Sequence, residues 1–248
     1  MLLGVNIDHI ATLRNARGGT EPNLLAAAKI CQKLDVFGVT VHLREDRRHI
    51  KDFDLTELSK IENLKINLEM AATKEMLEIA LSHKPRSCCI VPEKRQEITT
   101  EGGLDVVSNF ENIKEIVEKL RAAGILVSLF IDPEEAQVKA AAECNSDYIE
   151  MHTGAYANAF GTENEEHEFQ KLKTAAILGQ TLNLKVNAGH GLNYHNVRRM
   201  HEIPHIQELN IGHSIVSAAI YKGFEAAVKE MKNLAQDQNY KNPDWEKI

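Results

Sequence analysis

The sequence predicts a single-domain α/β protein that folds as a TIM (β/α)8 barrel with extra helices. Short β-branched or apolar segments recur along the chain, and a longer segment with helical periodicity follows each of them. Eight such units in 248 residues match the number and the size of the units in a TIM barrel. No linker, low-complexity tract or change in composition indicates a second domain. We therefore assign residues 1–236 to the barrel and residues 237–248 to a C-terminal tail.

The predicted strands are all short, as expected for strands that cross a barrel wall. In chain order they are LLGVNI (2–7), GVTVHL (38–43), KINLEM (65–70), SCCIVP (87–92), LVSLFI (126–131), DYIEMH (147–152), LKVNAG (184–189) and ELNIGH (208–213). The helices predicted between them include PNLLAAAKICQKL (22–34), TKEMLEIALSH (73–83), NIKEIVEKLRAAG (112–124) and PEEAQVKAAAEC (133–144). Asp132 and Pro133 suit an N-cap and a first helical turn.

A doubly wound sheet is the competing α/β architecture. It would have fewer strands and a G-x-G-x-x-G turn after the first strand. Here the first strand is followed by IDHIATLRNARGG, which lacks that turn. The barrel is therefore favoured.

The composition excludes several classes of protein. Aromatic residues make up 5% of the chain and the net charge is −7, which argues against a nucleic-acid-binding protein. No run of eighteen apolar residues predicts a membrane span. The N-terminal stretch MLLGVNIDHIA has too short an apolar run and no basic region for a secretory signal. The four cysteines form no C-x-x-C pair. We expect a cytoplasmic, reduced protein without nucleic-acid or membrane partners.

Polar residues follow six of the predicted strands, where the active site of a TIM barrel lies. The two-residue period of a strand places neighbouring members of this set on a common face. Taken alone, Glu69 or His42 is more often a solvent-facing or hydrogen-bonding residue than a catalytic one. Their convergence from six strands predicts one polar site. These residues are Asn6, Asp8, His9, His42, Arg44, Asn67, Glu69, Glu150, His152, Asn187, His190, Asn210 and His213.

Two glycine-containing segments are typical of phosphate-binding loops. NAGHGLNYHN (187–196) and NIGHSIVSAA (210–219) each place glycines between a strand and a helix, after strands seven and eight. Arg17, Arg44 and the Arg47–Arg48 pair could bind a second anion.

The residue types indicate acid–base chemistry on a phosphorylated small molecule. No lysine ends a strand on the catalytic face, which argues against a Schiff-base aldolase. No H-x-H or H-E-x-x-H spacing indicates a metal site, so we expect none. Histidine titrates near neutral pH, and a buried glutamate can do so. A phosphosugar epimerase or aldolase, which could be metal-dependent, and a non-catalytic anion-binding barrel remain alternatives.

Several longer segments resemble the signature segments of the pyridoxine 5′-phosphate synthase family. They occur in order from Leu3 to about residue 235, whereas residues 154–182 and the tail after Gln236 carry no motif of the family. The segments are GVNIDHIATLRNARGG, VTVHLREDRRHI, NLEMA, VPEKRQEITTEGGLDV, VSLFID, IEMHTG, KVNAGHGLNYHNV and ELNIGHSI.

The resemblance implies the last step of deoxyxylulose-phosphate-dependent vitamin B6 synthesis. In that reaction 3-amino-2-oxopropyl phosphate condenses with 1-deoxy-D-xylulose 5-phosphate to give pyridoxine 5′-phosphate, inorganic phosphate and water. The resemblance also implies that the enzyme needs no cofactor or metal. It implies a homo-oligomer, an octamer built from dimers. The substrate supplies its own amine, which agrees with the missing catalytic lysine.

By matching motif positions, the resemblance implies roles for individual residues. The acid–base residues would be His42, Glu69 and His190, and Glu150 would stabilise a transition state. The substrate and phosphate contacts would be Asn6, Asp8, His9, Arg17, Arg44, His49, Thr99, Gly191, Gly212 and His213.

The segment EKRQEITTEGGLD (93–105) is longer than an ordinary strand–helix turn, which takes about two to six residues. Length alone fits a surface loop as well as a closing lid. Imine and enamine intermediates hydrolyse in water, and this favours a lid, with Gly102-Gly103 as a hinge and Thr99 and Thr100 as phosphate ligands.

Overall fold

The structure is a computed structural model that describes residues 1–93 and 102–240. Its strands are β1 (Leu2–Asn6), β2 (Gly38–His42), β3 (Ile66–Met70), β4 (Ser87–Ile90), β5 (Leu126–Ile131), β6 (Tyr148–His152), β7 (Lys185–Gly189) and β8 (Ile206–Ile211). All eight are parallel and pair in chain order, and β1 also pairs with β8, which closes the barrel. The predicted TIM (β/α)8 barrel is confirmed.

Helices surround the barrel. In the described part of the chain, two α-helices instead of one follow each of the strands β1, β6 and β8, so the predicted extra helices are present. The helices are α1 (Asp8–Arg17), α2 (Leu24–Lys33), α3 (Asp52–Leu58), α4 (Lys74–His83), α5 (Phe110–Ala122), α6 (Glu135–Glu143), α7 (Gly154–Ala159), α8 (Glu165–Thr181), α9 (His213–Lys222) and α10 (Phe224–Gln236). A 3₁₀ helix spans Val197–Glu202.

Side-chain capping begins some of these helices. Asn23 accepts a hydrogen bond from the Ala26 N–H, and Thr73 accepts one from the Met76 N–H, at the starts of α2 and α4. The predicted start of α6 was wrong by two residues, because this helix begins at Glu135. Asp132 does not cap it, since its carboxylate is hydrogen-bonded to His152 instead.

The strands bury apolar side chains on one face and polar side chains on the other. Val39 and Val41 of β2 belong to the large apolar core that the strands form with the helices. Their neighbours Thr40 and His42 are buried too, but they make polar contacts. The inside of the barrel therefore holds a hydrogen-bonded network rather than an apolar core, and its members include Thr40, Asn67, Ser87, Glu150 and Asn210.

Gly4 makes room for this network on β1. A Cβ at Gly4 would lie 2.1 Å from Asn210 Oδ1 and 2.6 Å from Glu208 Oε1. Burial and the nearby carboxylate of Glu150 raise the pKa of Glu208 to about 8, although Arg86 and Lys65 lower it. Glu208 is thus neutral in the folded protein at neutral pH.

Replacing Glu208 with glutamine is expected to stabilise the protein as the pH rises. An acid whose pKa is higher in the folded state takes up a proton on folding, so its contribution to stability falls as pH rises from about 4.5 to about 8. Glutamine removes this dependence. Since one pKa unit corresponds to about 1.4 kcal/mol, we expect a gain of about 1 kcal/mol or more above pH 8.

Melting temperatures of Glu208→Gln and the parent protein at pH 5, 7 and 9 measure this effect. Glu225→Gln, which changes an exposed carboxylate paired with Lys33, is the matched control. If the difference in melting temperature between Glu208→Gln and the parent does not change with pH, the raised pKa of Glu208 is contradicted.

Candidate active site

A cavity of about 410 Å³ lies at the C-terminal ends of the strands. Polar side chains from β1, β3, β6, β7 and β8, together with the loops that follow them, line it. Nine of the residues predicted for the site are among its lining residues: Asn6, His9, Glu69, Glu150, His190, Gly191, Asn210, Gly212 and His213. Convergence of the strand ends on one site is therefore observed.

Glu69 and His42 lie side by side at the ends of β3 and β2. His42 Nδ1 is 3.7 Å from Glu69 Oε2. Burial raises the pKa of Glu69 well above its usual range, and the negative charges of Asp8, Glu150 and Glu93 raise it further. The surroundings of Glu69 therefore favour its protonated form, next to the imidazole of His42.

Asp8, which follows β1 closely, contacts His42 of the His42–Glu69 pair. Its carboxylate accepts hydrogen bonds from the backbone N–H of His42, at 2.9 Å, and from Asn6 Nδ2, at 3.0 Å. Burial raises the pKa of Asp8, although the charges of His42 and Arg44 and the hydrogen bonds oppose this shift. One ligand atom from each of Asp8, His42 and Glu69 lies within 4.8 Å of the others, an arrangement that could hold a metal ion. Sequence spacing gave no signal for it, because the three residues come from three strand ends.

Glu150 is buried on β6, inside the barrel below the cavity. Its Oε2 accepts a hydrogen bond of 2.7 Å from Asn210 Nδ2, and Cys89 Sγ lies 3.9 Å away. Burial raises the pKa of Glu150 to about 7, although both of these hydrogen bonds lower it. Gly189 leaves space for this carboxylate, because a Cβ there would lie 2.3 Å from Glu150 Oε1.

His190 follows β7 with a positive φ of 76°, a conformation that is uncommon for a residue with a side chain. Thr153 stabilises it, since its hydroxyl donates to the carbonyls of Gly189 and His190 at 2.8 and 2.5 Å. The His152 ring packs at 4.9 Å from the His190 ring, measured between centroids. Burial, with a smaller contribution from the charge of His152, lowers the pKa of His190 to about 4, so its imidazole is neutral.

Three histidine rings, those of His9, His49 and His213, pack together, and His9 and His213 line the cavity. The centroid of the His9 ring is 5.2 Å from that of His213 and 5.7 Å from that of His49. His9 Nδ1 is buried and has no hydrogen-bond partner among the described residues. His213 begins α9 directly after Gly212, so backbone N–H groups of a ten-residue helix start at the cavity. A phosphate fits such a helix N-terminus.

The arginines that were predicted to bind a second anion differ in their surroundings. Arg44 is buried, and within the described chain its Nε has no hydrogen bond, although it lies 3.6 Å from Asp46 Oδ1. Arg47 pairs with Asp52 and Glu75, and Arg48 pairs with Asp46. These two arginines thus form surface ion pairs, and the arrangement does not support their use as a second anion site.

Besides Arg44, Arg47 and Arg48, the predicted site residues within the described chain that do not line this cavity are Asp8, Arg17, His42, His49, Asn67, His152 and Asn187. His49 is connected to it through its contact with His9 and bonds Thr12 Oγ1 at 2.7 Å. Arg17 ends α1 with an exposed side chain. Thr99 and most of the predicted lid at 93–105 lie outside the described residues.

Two contacts made by histidines of the predicted site were not themselves predicted. His42 Nε2 lies 2.8 Å from Glu93 Oε1, and His152 Nδ1 lies 2.9 Å from Asp132 Oδ1. Each carboxylate directly follows a strand, which is the available signal in the sequence, but the first was interpreted as part of a lid and the second as a helix cap.

Comparisons with known proteins agree with this geometry. Residues 3–237 match the model of the family described as "Pyridoxal phosphate biosynthesis protein PdxJ". A pyridoxine 5′-phosphate synthase of Geobacter sp. (strain M21) is 56% identical over 234 residues, which cover 94% of this chain and 98% of that protein. The protein of the same name from Geobacter metallireducens is 54% identical over 232 residues, which cover 94% of this chain and 97% of that protein.

A more distant likeness shows the fold alone. The structure of a 3-keto-L-gulonate-6-phosphate decarboxylase from Vibrio cholerae has a TM-score of 0.61 at 11% identity, covering 94% of this chain and 96% of that one. The match of residues 3–237 to the family model and the relatives that are more than half identical show the family. The chain belongs to the PdxJ family of pyridoxal phosphate biosynthesis proteins.

Proposed function

We propose that this chain is a pyridoxine 5′-phosphate synthase that condenses 3-amino-2-oxopropyl phosphate with 1-deoxy-D-xylulose 5-phosphate. The products are pyridoxine 5′-phosphate, inorganic phosphate and water. The observation that carries the proposal is the meeting of Glu69, Glu150 and His190 in one cavity that also has a helix N-terminus and the side chains of His9 and His213. Family membership makes this reaction the expected one.

The pKa shifts suggest how the acid–base work is divided. Ring closure requires imine formation, dehydration, loss of phosphate and formation of a carbon–carbon bond, and each step moves protons. A protonated Glu69 is an acid, and a neutral His190 is a base, because burial shifts their pKa values in opposite directions. His42 exchanges a proton with Glu69, and Glu150, with a pKa of about 7, stabilises a transition state.

The amine of the substrate takes the place of a catalytic lysine. Among the described residues that line the cavity there is no lysine. The primary amine of 3-amino-2-oxopropyl phosphate attacks the ketone of the sugar phosphate, and water leaves as the imine forms. The two phosphates would occupy the α9 N-terminus, near His9 and His213, and the region around Arg44 and His49.

We also propose, from the family resemblance, a cytoplasmic homo-octamer built from dimers. Ile220 and Tyr221 on α9 are 69% and 73% exposed, which suits a surface covered by another subunit. In the part of the chain that the structure describes, no helix has the length and apolar character needed to cross a membrane.

Exhaustive EDTA treatment is expected to leave the activity intact. The carboxyl groups of Asp8 and Glu69 have raised pKa values and favour a proton, and Glu93 already contacts one nitrogen of His42. Activity before and after chelation is the measurement. If activity is lost and zinc or manganese restores it, the cluster of Asp8, His42 and Glu69 is a metal site, and a metal-dependent epimerase or aldolase gains support.

Incubation with one substrate at a time separates the proposal from its alternatives. An epimerase or aldolase would convert 1-deoxy-D-xylulose 5-phosphate by itself, and nuclear magnetic resonance (NMR) would detect its product. A binding protein would retain pyridoxine 5′-phosphate but convert neither substrate. The synthase is expected to convert the sugar phosphate only when 3-amino-2-oxopropyl phosphate is also present. Conversion of the sugar phosphate alone would contradict the proposal.

A further inference from the structure

Glu93 places a buried carboxylate against the catalytic imidazole of His42. Its Oε1 lies 2.8 Å from His42 Nε2, and the two side chains are 5% and 7% exposed. The other carboxylate oxygen accepts a hydrogen bond of 3.0 Å from the backbone N–H of Glu45. With both oxygens engaged, Glu93 cannot rotate without breaking one of these contacts.

The contacts of Glu93 decide which nitrogen of His42 carries a hydrogen. Burial alone would raise the pKa of Glu93, but the hydrogen bond with His42, its charge and the Glu45 N–H together lower it below the usual value. Glu93 is therefore ionised at neutral pH, and an ionised carboxylate can only accept hydrogen bonds. His42 Nε2 must then be the donor.

The other nitrogen of the same ring points towards the reaction site. His42 Nδ1 is the atom that lies 3.7 Å from Glu69 Oε2. When the imidazole is neutral and Nε2 bears the hydrogen, Nδ1 has a free lone pair. Two more groups, Asp8 and Arg44, are near His42: Asp8 accepts from its backbone N–H, and Arg44 is two residues along the chain. Of the carboxylates in residues 1–93 and 102–240, Glu93 is the one hydrogen-bonded to the ring.

We propose that Glu93 is a positioning residue that holds the hydrogen of His42 on Nε2 and presents Nδ1 to Glu69 and the cavity as the base. The inference rests on the proposed function, in which His42 transfers protons. Without Glu93 the ring could turn or take the other tautomer, and Nδ1 would no longer face Glu69 as an acceptor. Removal of a carboxylate that sets a catalytic tautomer can cost up to about 10⁴ in kcat.

NMR of protein labelled with ¹⁵N-histidine tests the inference without an activity assay. Long-range ¹H–¹⁵N correlation spectra at pH 8.5 report which ring nitrogen is protonated, and the signals missing from His42→Asn identify those of His42. We expect hydrogen on Nε2 in the parent protein and a mixture of tautomers, or hydrogen on Nδ1, in Glu93→Ala. Glu93→Gln has a single acceptor oxygen, which the Glu45 N–H takes, so its amide NH2 faces His42 Nε2 and should also move the hydrogen to Nδ1.

Kinetics provide the second measurement. Glu93→Ala is expected to lower kcat about a hundredfold or more, with KM changed less than about threefold, and Glu93→Gln should lower kcat to a similar extent. Glu135→Gln, which changes an exposed carboxylate on α6 paired with Lys139, is the matched control and should change neither the tautomer nor kcat.

Two results would overturn the inference. One is hydrogen on Nδ1 of His42 in the parent protein. The other is a Glu93→Ala variant that keeps both the parent tautomer and the parent kcat. If Glu93→Ala does not fold, the parent spectrum and the Glu93→Gln variant still decide the question. If the parent protein forms no pyridoxine 5′-phosphate, the proposed function fails, whereas the tautomer measurement stands on its own.

Discussion

Replacing Glu69 with glutamine is expected to lower kcat for pyridoxine 5′-phosphate formation about a hundredfold or more. Burial and the charges of Asp8, Glu150 and Glu93 raise the pKa of Glu69 and so favour its protonated form, 3.7 Å from His42 Nδ1. Glutamine has nearly the same shape and can donate a hydrogen bond, but it cannot give up or accept a proton. The melting temperature should therefore move by only a few degrees. Steady-state kinetics and calorimetry of the purified variant measure the two effects.

His190→Asn is expected to reduce kcat to a similar extent, since the neutral imidazole of His190 lines the same cavity. Glu78→Gln on α4 is the matched control for Glu69→Gln, because its carboxylate is exposed and only 3.9 Å from Lys74. Parental kcat in either Glu69→Gln or His190→Asn would remove that residue from the mechanism. A large loss of stability would indicate a structural role instead.

Replacing Asp54 with alanine is expected to lower the free energy of unfolding by about 3–5 kcal/mol. The side chains of Arg14 on α1 and Asp54 on α3 are both buried, and they form two parallel hydrogen bonds of 2.5 and 2.8 Å. Asp54 also accepts from the backbone N–H of Lys51 at the start of α3. Removing the carboxylate leaves the guanidinium charge of Arg14 buried without its partner, and such a charge is costly.

Thermal unfolding measures this loss. For a chain of this size, 1 kcal/mol corresponds to about 2–4 °C in Tm, so a fall of roughly 6–20 °C is expected. Asp52→Ala is the matched control on the same helix. Its carboxylate is 63% exposed and pairs with Arg47, so we expect a change of less than about 1 kcal/mol. If Asp54→Ala and Asp52→Ala lose equal amounts of unfolding free energy, the buried ion pair contributes no more than the exposed one, and the prediction is wrong.

The fold was predictable because its signals are local. The two-residue alternation in GVTVHL places valines against the helices and polar side chains inside the barrel, and the structure has this arrangement. Repetition of such units predicts a parallel barrel without any knowledge of pairing. The site followed from the same alternation, because the polar strand ends of a parallel barrel must meet.

Long-range pairing was not predictable from these patterns. The partner of His42 is Glu93, 51 positions away, and although Glu93 follows a predicted strand, the local sequence does not show which side chain it contacts. Asp132 precedes a proline and was predicted to cap a helix, but His152, 20 positions away, forms the stronger partner in the folded chain. Arg47 and Arg48 were predicted to bind an anion, whereas nearby carboxylates from α3, α4 and the same loop occupy them. In these cases the contacts formed in the folded chain, rather than the local sequence preference, determine which groups pair.

The most direct test of the account is the reaction of the purified protein with both substrates together. Pyridoxine 5′-phosphate can be followed by its absorbance and fluorescence, and inorganic phosphate by a coupled assay. The account predicts one phosphate for each pyridoxine 5′-phosphate, with neither formed when 3-amino-2-oxopropyl phosphate or 1-deoxy-D-xylulose 5-phosphate is omitted. Absence of pyridoxine 5′-phosphate from a folded, unmodified protein that is given both substrates would contradict it.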